Sequence, residues 1–146
     1  MKIHEVKIYQ EFDAPVEVAW EAFSDHANLG KMLGLKMERI VDSQAPGNIN
    51  GAGSVRLIKV AFTSFEETIQ KAVKPNCIEY NITRGTPLNH HYGKMEFKSL
   101  DGERSALDYS VTVGSNIPFL GALVKIGLQN SLGAGVAKYA KRLKKG

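Results

Sequence analysis

Cysteine is nearly absent. Cys77 stands alone among 146 residues, so no internal disulfide can form, and the usage is that of a reducing compartment. An uninterrupted apolar run of membrane-spanning length is also missing, because residues 119–137 are broken by Lys125, Gln129 and Asn130. No basic start leads into an apolar core and a small-residue cleavage site, so no signal peptide is expected and the chain reads as cytoplasmic. There is no phosphate-cradling glycine loop ending in Lys-Ser or Lys-Thr, no dinucleotide fingerprint and no Gly-x-Ser-x-Gly elbow. The segment GNINGAG at 47–53 is rich in glycine, but it reads as a loop between strands, not as a strand feeding a helix, and nucleotide binding is not expected. Acidic residues are outnumbered by basic ones, 15 to 19. The net charge of +4 says less than its position: Lys138, Lys141, Arg142, Lys144 and Lys145 crowd the end of the last segment, where cations offset the negative end of a helix dipole. No recognition-helix pattern, RNA-binding aromatic motif or zinc spacing accompanies them, so nucleic acid is not an expected partner. Weak contact of this basic end with an anionic membrane surface or an acidic partner is the functional reading left for it.

With 43% hydrophobic and 23% charged residues, what is there has the makeup of a globular protein. No repeat, linker or low-complexity tract divides residues 1–146, and one domain is expected over that span. The most telling element is the last, a long amphipathic helix from Pro118 to Lys145. Leu120, Val124, Leu128, Leu132, Val136, Tyr139 and Leu143 recur at steps of four and three, the spacing of a helix with one buried stripe. Gly121, Gly127, Gly133 and Gly135 interrupt it, each less favourable in a helix than alanine by about 1 kcal/mol. Four such residues suggest that space or movement is wanted there.

Before that helix the chain reads mostly as strand. Ile3 to Phe12 alternates, with Val6, Ile8 and Phe12 on one face. Pro15 suits a helix start, and Val16, Ala19, Trp20 and Phe23 form a helical stripe. A second short helix, roughly Ala27 to Leu33, ends at Gly34, followed by a strand over Leu35 to Val41 and a loop over Ser43 to Gly53. From Ser54 onward alternation assigns faces. The inward sets are Arg56, Ile58, Val60 and Phe62; Phe65, Glu67, Ile69 and Val73; Ile78, Tyr80, Ile82 and Arg84; His91, Gly93, Met95 and Phe97; and Leu107, Tyr109, Val111 and Val113. The last two sets share odd parity, so the hairpin joining them needs an odd loop or a bulge, which Gly102 would permit.

Arg56, Glu67 and Arg84 thus fall on apolar faces, where a charge without a partner costs several kcal/mol. They are expected to meet, with Glu67 opposite Arg84 if the Pro75 turn pairs Val73 with Ile78, and Arg56 approaching from the neighbouring strand. The cluster reads either as a self-satisfied ion pair or as a site with one arginine free for a ligand carboxylate or carbonyl. Tyr80, Tyr109 and His91 would add polar tips to the same wall. His90 and His91, adjacent on a strand, point to opposite faces and make a poor metal pair, so no metal or other cofactor is expected.

The opening FDAPVEVAWEAFSD, GAGSVR entering the third strand, FEETI in the fourth, IEYNITRGTPL in the fifth and the closing helix stand in an order and spacing that resembles the START-like superfamily. Within it the chain is similar to the SRPBCC group, which includes polyketide cyclase/dehydrase-like proteins and the birch-pollen-allergen fold. The resemblance implies an α+β helix-grip fold: a strongly bent seven-stranded antiparallel sheet, two short helices closing one end, and the terminal helix lying across a cavity. The expected partner is a hydrophobic or amphipathic small molecule, lipid- or polyketide-like, held by a carrier or sensor. Its expected contacts are Arg56, Glu67, Tyr80, Arg84, His91, Met95, Phe97 and Tyr109 from the strands, with Leu120, Val124 and Leu128 from the helix. Two other readings stand beside this one. A cyclase or dehydratase would use His91, Glu67 or a tyrosine to move protons; a protein-interaction regulator would act through the basic helix end and have its interior filled by side chains.

Overall fold

The computed structural model describes residues 1–60 and 62–144, so Lys145 lies outside the described residues. The elements in order are β1 (Ile3–Phe12), α1 (Val16–Ser24), α2 (His26–Leu33), β2 (Lys36–Val41), β3 (Val55–Val60), β4 (Thr63–Val73), β5 (Cys77–Arg84), β6 (His90–Asp101), β7 (Arg104–Gly114) and α3 (Leu120–Leu143). The seven strands form one antiparallel sheet in the order β1-β7-β6-β5-β4-β3-β2. Strands β2 to β7 run as a meander, while β1 joins its far edge beside β7. The two short helices carry the chain from one edge of the sheet to the other.

Local chemistry accounts for the turns. The Pro15 carbonyl accepts from the amides of Val18 and Ala19 at the start of α1, and the helix buries Val16, Ala19, Trp20 and Phe23. Asp25 caps α2, its Oδ1 accepting from the Asn28 amide at 2.9 Å. Gly34 ends that helix in the left-handed region, φ 70°, where a side chain would be strained. The β6–β7 register does shift, between Ser99 and Asp101; the extra residue is Leu100, and Gly102 serves in the turn that follows.

Helix α3 packs mainly against β1, with further contacts to α2 and β7. Its two halves differ. Leu132, Val136, Tyr139 and Ala140 are buried in the C-terminal half, whereas Val124 and Leu128 are only half-buried and Leu123 and Ile126 are exposed. At the C-terminal end the interior is closed by aromatic rings. Phe12, Phe23, Phe97, Trp20 and Tyr139 stack edge-on or tilted with centroids 5.4 to 5.8 Å apart. Gly135 permits the close crossing with α2, since a Cβ there would sit 2.9 Å from the Met32 carbonyl oxygen. Three inward assignments fail at strand ends, that of Arg84 at the end of β5 among them. Phe62 is fully exposed at the tip of the β3–β4 hairpin. Val73 is turned out because the register slips between Ile69 and Lys71, which leaves Ala72 half-buried in its place.

Candidate functional site

Where α3 rises away from the sheet, a cavity of about 430 Å³ remains. Its walls are apolar. Leu33, Leu35 and Met37 contribute from the end of α2, the turn after it and the start of β2, Ile58, Val60 and Phe65 from β3 and β4, and Val124, Gly127 and Leu128 from α3, while Gly85 to Leu88 form part of the rim. The bend at Gly34 brings Leu33 and Leu35 round to one wall, and strand alternation places Ile58 and Phe65 on the inner face beside Arg56 and Glu67.

One pole of this apolar space is polar, formed by Arg56, Glu67, Tyr80, His91 and Tyr109. Arg56 and Glu67 face each other across β3 and β4. Nε of Arg56 donates to Glu67 Oε1 at 2.8 Å and Nη2 lies 2.7 Å from the same oxygen, and both residues are buried. Such a pair has little net stabilising effect, but removing one partner strands a charge at a cost of about 3–5 kcal/mol. Burial works against the arginine's charge, but Glu67 together with Tyr80 and Tyr109 more than offsets it, so the guanidinium is held more firmly protonated than usual. It lies over the Tyr80 ring, 4.6 Å from the centroid.

Tyr80 and Tyr109 are buried, with their hydroxyls hydrogen-bonded to one another. Burial raises both above the ordinary tyrosine range, and for Tyr80 the neighbouring Tyr109 adds to it. Both therefore keep their protons. Tyr80 reaches this position only because residue 93 is glycine: a Cβ there would fall 2.2 Å from Tyr80 Cζ. His91 Nδ1 accepts from the Ile82 amide at 3.3 Å, which places the proton of the neutral ring on Nε2. That nitrogen is 4.0 Å from Glu67 Oε2. Burial lowers the imidazole's pKa, against a weaker opposite pull from Glu67. His90 lies on the other face, bonded to Thr112 Oγ1 at 2.8 Å.

Of the residues expected to touch a ligand, Arg56, Glu67, Tyr80, His91, Tyr109, Val124 and Leu128 line the cavity. Arg84 does not. Val73 pairs with Cys77, and a second register shift between Glu66 and Glu67 sets Glu67 opposite Ile82 and Arg84 opposite Glu66. The arginine side chain is 82% exposed, its Nε 3.7 Å from Glu66 Oε2. Met95 and Phe97 point inward as expected but belong to the packed core, Phe97 wedged between Trp20 and Phe23. Leu120 is half-buried at the start of α3, outside the cavity lining. Two groups stand out among the lining residues not anticipated as contacts. Ile58, Phe65, Ile82 and Val111 were already on the inner face by alternation, whereas Leu33, Leu35 and Met37 depend on a chain reversal that alternation does not encode.

Among the described residues no three His, Cys, Asp or Glu side chains gather as a metal site needs, and no helix is long and apolar enough to cross a membrane.

Known structures share this architecture. A START superfamily protein from Mycobacterium smegmatis superposes with a TM-score of 0.78 at 15% identity, covering 97% of this chain and 99% of that one. Norcoclaurine synthase from Thalictrum flavum, in complex with dopamine and hydroxybenzaldehyde, gives 0.70 at 12%, covering 99% and 90%. Ara h 8.0201 gives 0.68 at 19%, covering 97% and 99%. At these identities the likeness shows the helix-grip fold alone. Comparison with curated protein sequences gives no match. The model of the family described as polyketide cyclase / dehydrase and lipid transport matches residues 4–145, and the chain, START-like in its fold, belongs to that family.

Proposed function

We propose that this protein binds one hydrophobic or amphipathic small molecule between the sheet and α3, as a carrier or sensor. The observation that carries this reading is the cavity itself: about 430 Å³, within the ~300–1,000 Å³ of small-molecule sites, apolar on its walls and polar at one pole. A ligand would leave its greasy body against Leu33, Met37, Ile58 and Leu128 and its polar group beside Arg56 and the tyrosine pair. The family's description includes lipid transport, in keeping with a carrier. Exposed apolar side chains adjoin the opening: Phe62 lies between the lining residues Val60 and Thr63, and Leu123 and Ile126 flank Val124 and Gly127. Native mass spectrometry of gently purified protein, followed by solvent extraction, tests the reading. The expected result is a bound compound that is lost from a Leu128→Trp variant; a protein that neither retains nor takes up any apolar compound would rule the reading out.

A second reading, proton-transfer catalysis of the cyclase or dehydratase kind, is favoured by one feature: His91 and Glu67 face the cavity side by side, with Glu67 Oε2 outside the Arg56 ion pair. Incubating candidate ligands with wild type, Glu67→Gln and His91→Ala separates the two. A carrier returns every compound unchanged, and an enzyme loses turnover in one or both variants.

A further inference from the structure

We infer that the polar pole of the cavity selects a neutral oxygen acceptor, a ketone, ester or amide carbonyl, over the corresponding carboxylate. This rests on the cavity being a ligand site and names the chemistry the site takes.

Hydrogen-bond accounting comes first. Arg56 carries five N–H donors. Nε–H donates to Glu67 Oε1, with Nη2 close to the same oxygen, and among the described residues no other acceptor is bonded to the guanidinium. The two tyrosine hydroxyls satisfy each other only once, since one O–H donates and the other oxygen accepts. The accepting hydroxyl keeps its own proton for a third group. His91, with Nδ1 occupied by the Ile82 amide, presents Nε2–H at 4.0 Å from Glu67 Oε2, too far for a hydrogen bond. Against these donors the pole offers one unengaged carboxylate oxygen, Glu67 Oε2, so an arriving group is met by an excess of N–H and O–H. A carbonyl oxygen, with two lone pairs, can accept from the arginine and a tyrosine together.

Charge decides between acceptors. The Arg56 cation and the Glu67 anion are both buried and cancel each other. The other groups facing them, Tyr80, Tyr109 and His91, are neutral, because burial opposes ionisation of each. A carboxylate would therefore arrive as a second anion beside the buried Glu67 with no cation left to balance it. A neutral carbonyl meets the same donors without that cost.

Three naphthalenes of matched shape test this on the full chain: methyl naphthyl ketone, naphthoate and ethylnaphthalene. Binding is measured by calorimetry or equilibrium dialysis at about pH 8, where the acid is ionised and histidine is neutral. The ketone is expected to bind about tenfold more tightly than either of the others. In the double variant Tyr80→Phe and Tyr109→Phe its advantage over ethylnaphthalene should shrink severalfold, while ethylnaphthalene itself binds within about twofold of wild type. Infrared spectroscopy of the ketone bound to wild-type protein supplies a reading that does not depend on the variant folding: the carbonyl stretch should lie below its value in hexane. Naphthoate binding as tightly as the ketone, or a carbonyl stretch at the hexane value, overturns the inference while leaving the cavity a ligand site. If none of the three binds, the inference is overturned for this ligand class, and the ligand-site reading is decided separately by the native mass spectrometry above.

Discussion

Arg56 and Glu67 show how one residue pair can carry both stability and recognition. Their mutual bonds satisfy the charges that the strand pattern places inside, and the arginine's remaining donors are left for the cavity. An Arg56→Met variant should lose about 3–5 kcal/mol in denaturant unfolding, because Glu67 is then buried without a partner. The double variant Arg56→Met and Glu67→Leu should recover most of that loss; a double variant as unstable as the sum of the singles would mean the two residues act independently. His26 makes a different prediction. It is buried, and among the described residues neither ring nitrogen has a hydrogen-bond partner; burial, with Arg56 and Arg39 nearby, pushes its pKa down to about 3. The unfolded chain takes up this proton at about pH 6.5, the folded chain only near pH 3, so stability is complete above about 6.5 and declines as pH falls toward 3. At pH 5 this one group should cost about 2 kcal/mol. A His26→Leu variant should show a correspondingly shallower loss between about pH 7 and pH 5, measured by urea midpoints; parallel curves for the two proteins would refute the assignment.

At the scale of elements, the four glycines of α3 separate into distinct roles. Gly121 and Gly135 are sites of close approach, where a Cβ would come within 2.9 Å of His4 and of Met32 and Leu33. Gly127 and Gly133 have open space around them, and of the two only Gly127 lines the cavity. Alanine at either open position should stabilise the helix by up to about 1 kcal/mol, but only Gly127→Ala intrudes on the ligand. Thermal melts should therefore rise in both variants while affinity for methyl naphthyl ketone falls in Gly127→Ala alone; equal affinities would remove Gly127 from the site. The periodicity of α3 and the inner faces of the strands were legible because one side of each is solvated, which is what alternation reports. The slip that turns Arg84 out was not: an extra residue on β5, Thr83, opposite the step from Glu66 to Glu67 leaves no mark on an apolar pattern. Nor does alternation say how far along a face the interior is filled. Met95 and Phe97 share the face of His91, yet they sit under α1, where Trp20 and Phe23 occupy the space that is empty further along.

The molecule as a whole is built with one end packed and the other open. Rings from β1, α1, β6 and the C-terminal half of α3 interlock at the packed end, and β3, β4 and the N-terminal half of α3 surround a space that their own side chains do not fill. Lining atoms beside a void lack contacts on one side, so the open end should be the less stable part of the fold and the part a ligand stabilises. Binding to the folded state alone adds about 2.7 kcal/mol when free ligand exceeds its Kd about a hundredfold. For a chain of this size that corresponds to a rise in Tm of roughly 5–10 °C. Amide hydrogen exchange should locate the effect. With saturating methyl naphthyl ketone, protection should increase in β3 and β4, in the segment from Gly85 to Leu88 and in α3 from Val124 to Leu132. Protection of Phe12, Trp20, Phe23 and Phe97, already packed without ligand, should change little until global unfolding is the route of exchange. Uniform protection across both ends would mean that the two halves open as one unit, and the division of the interior into a rigid anchor and a ligand-dependent mouth would then be wrong.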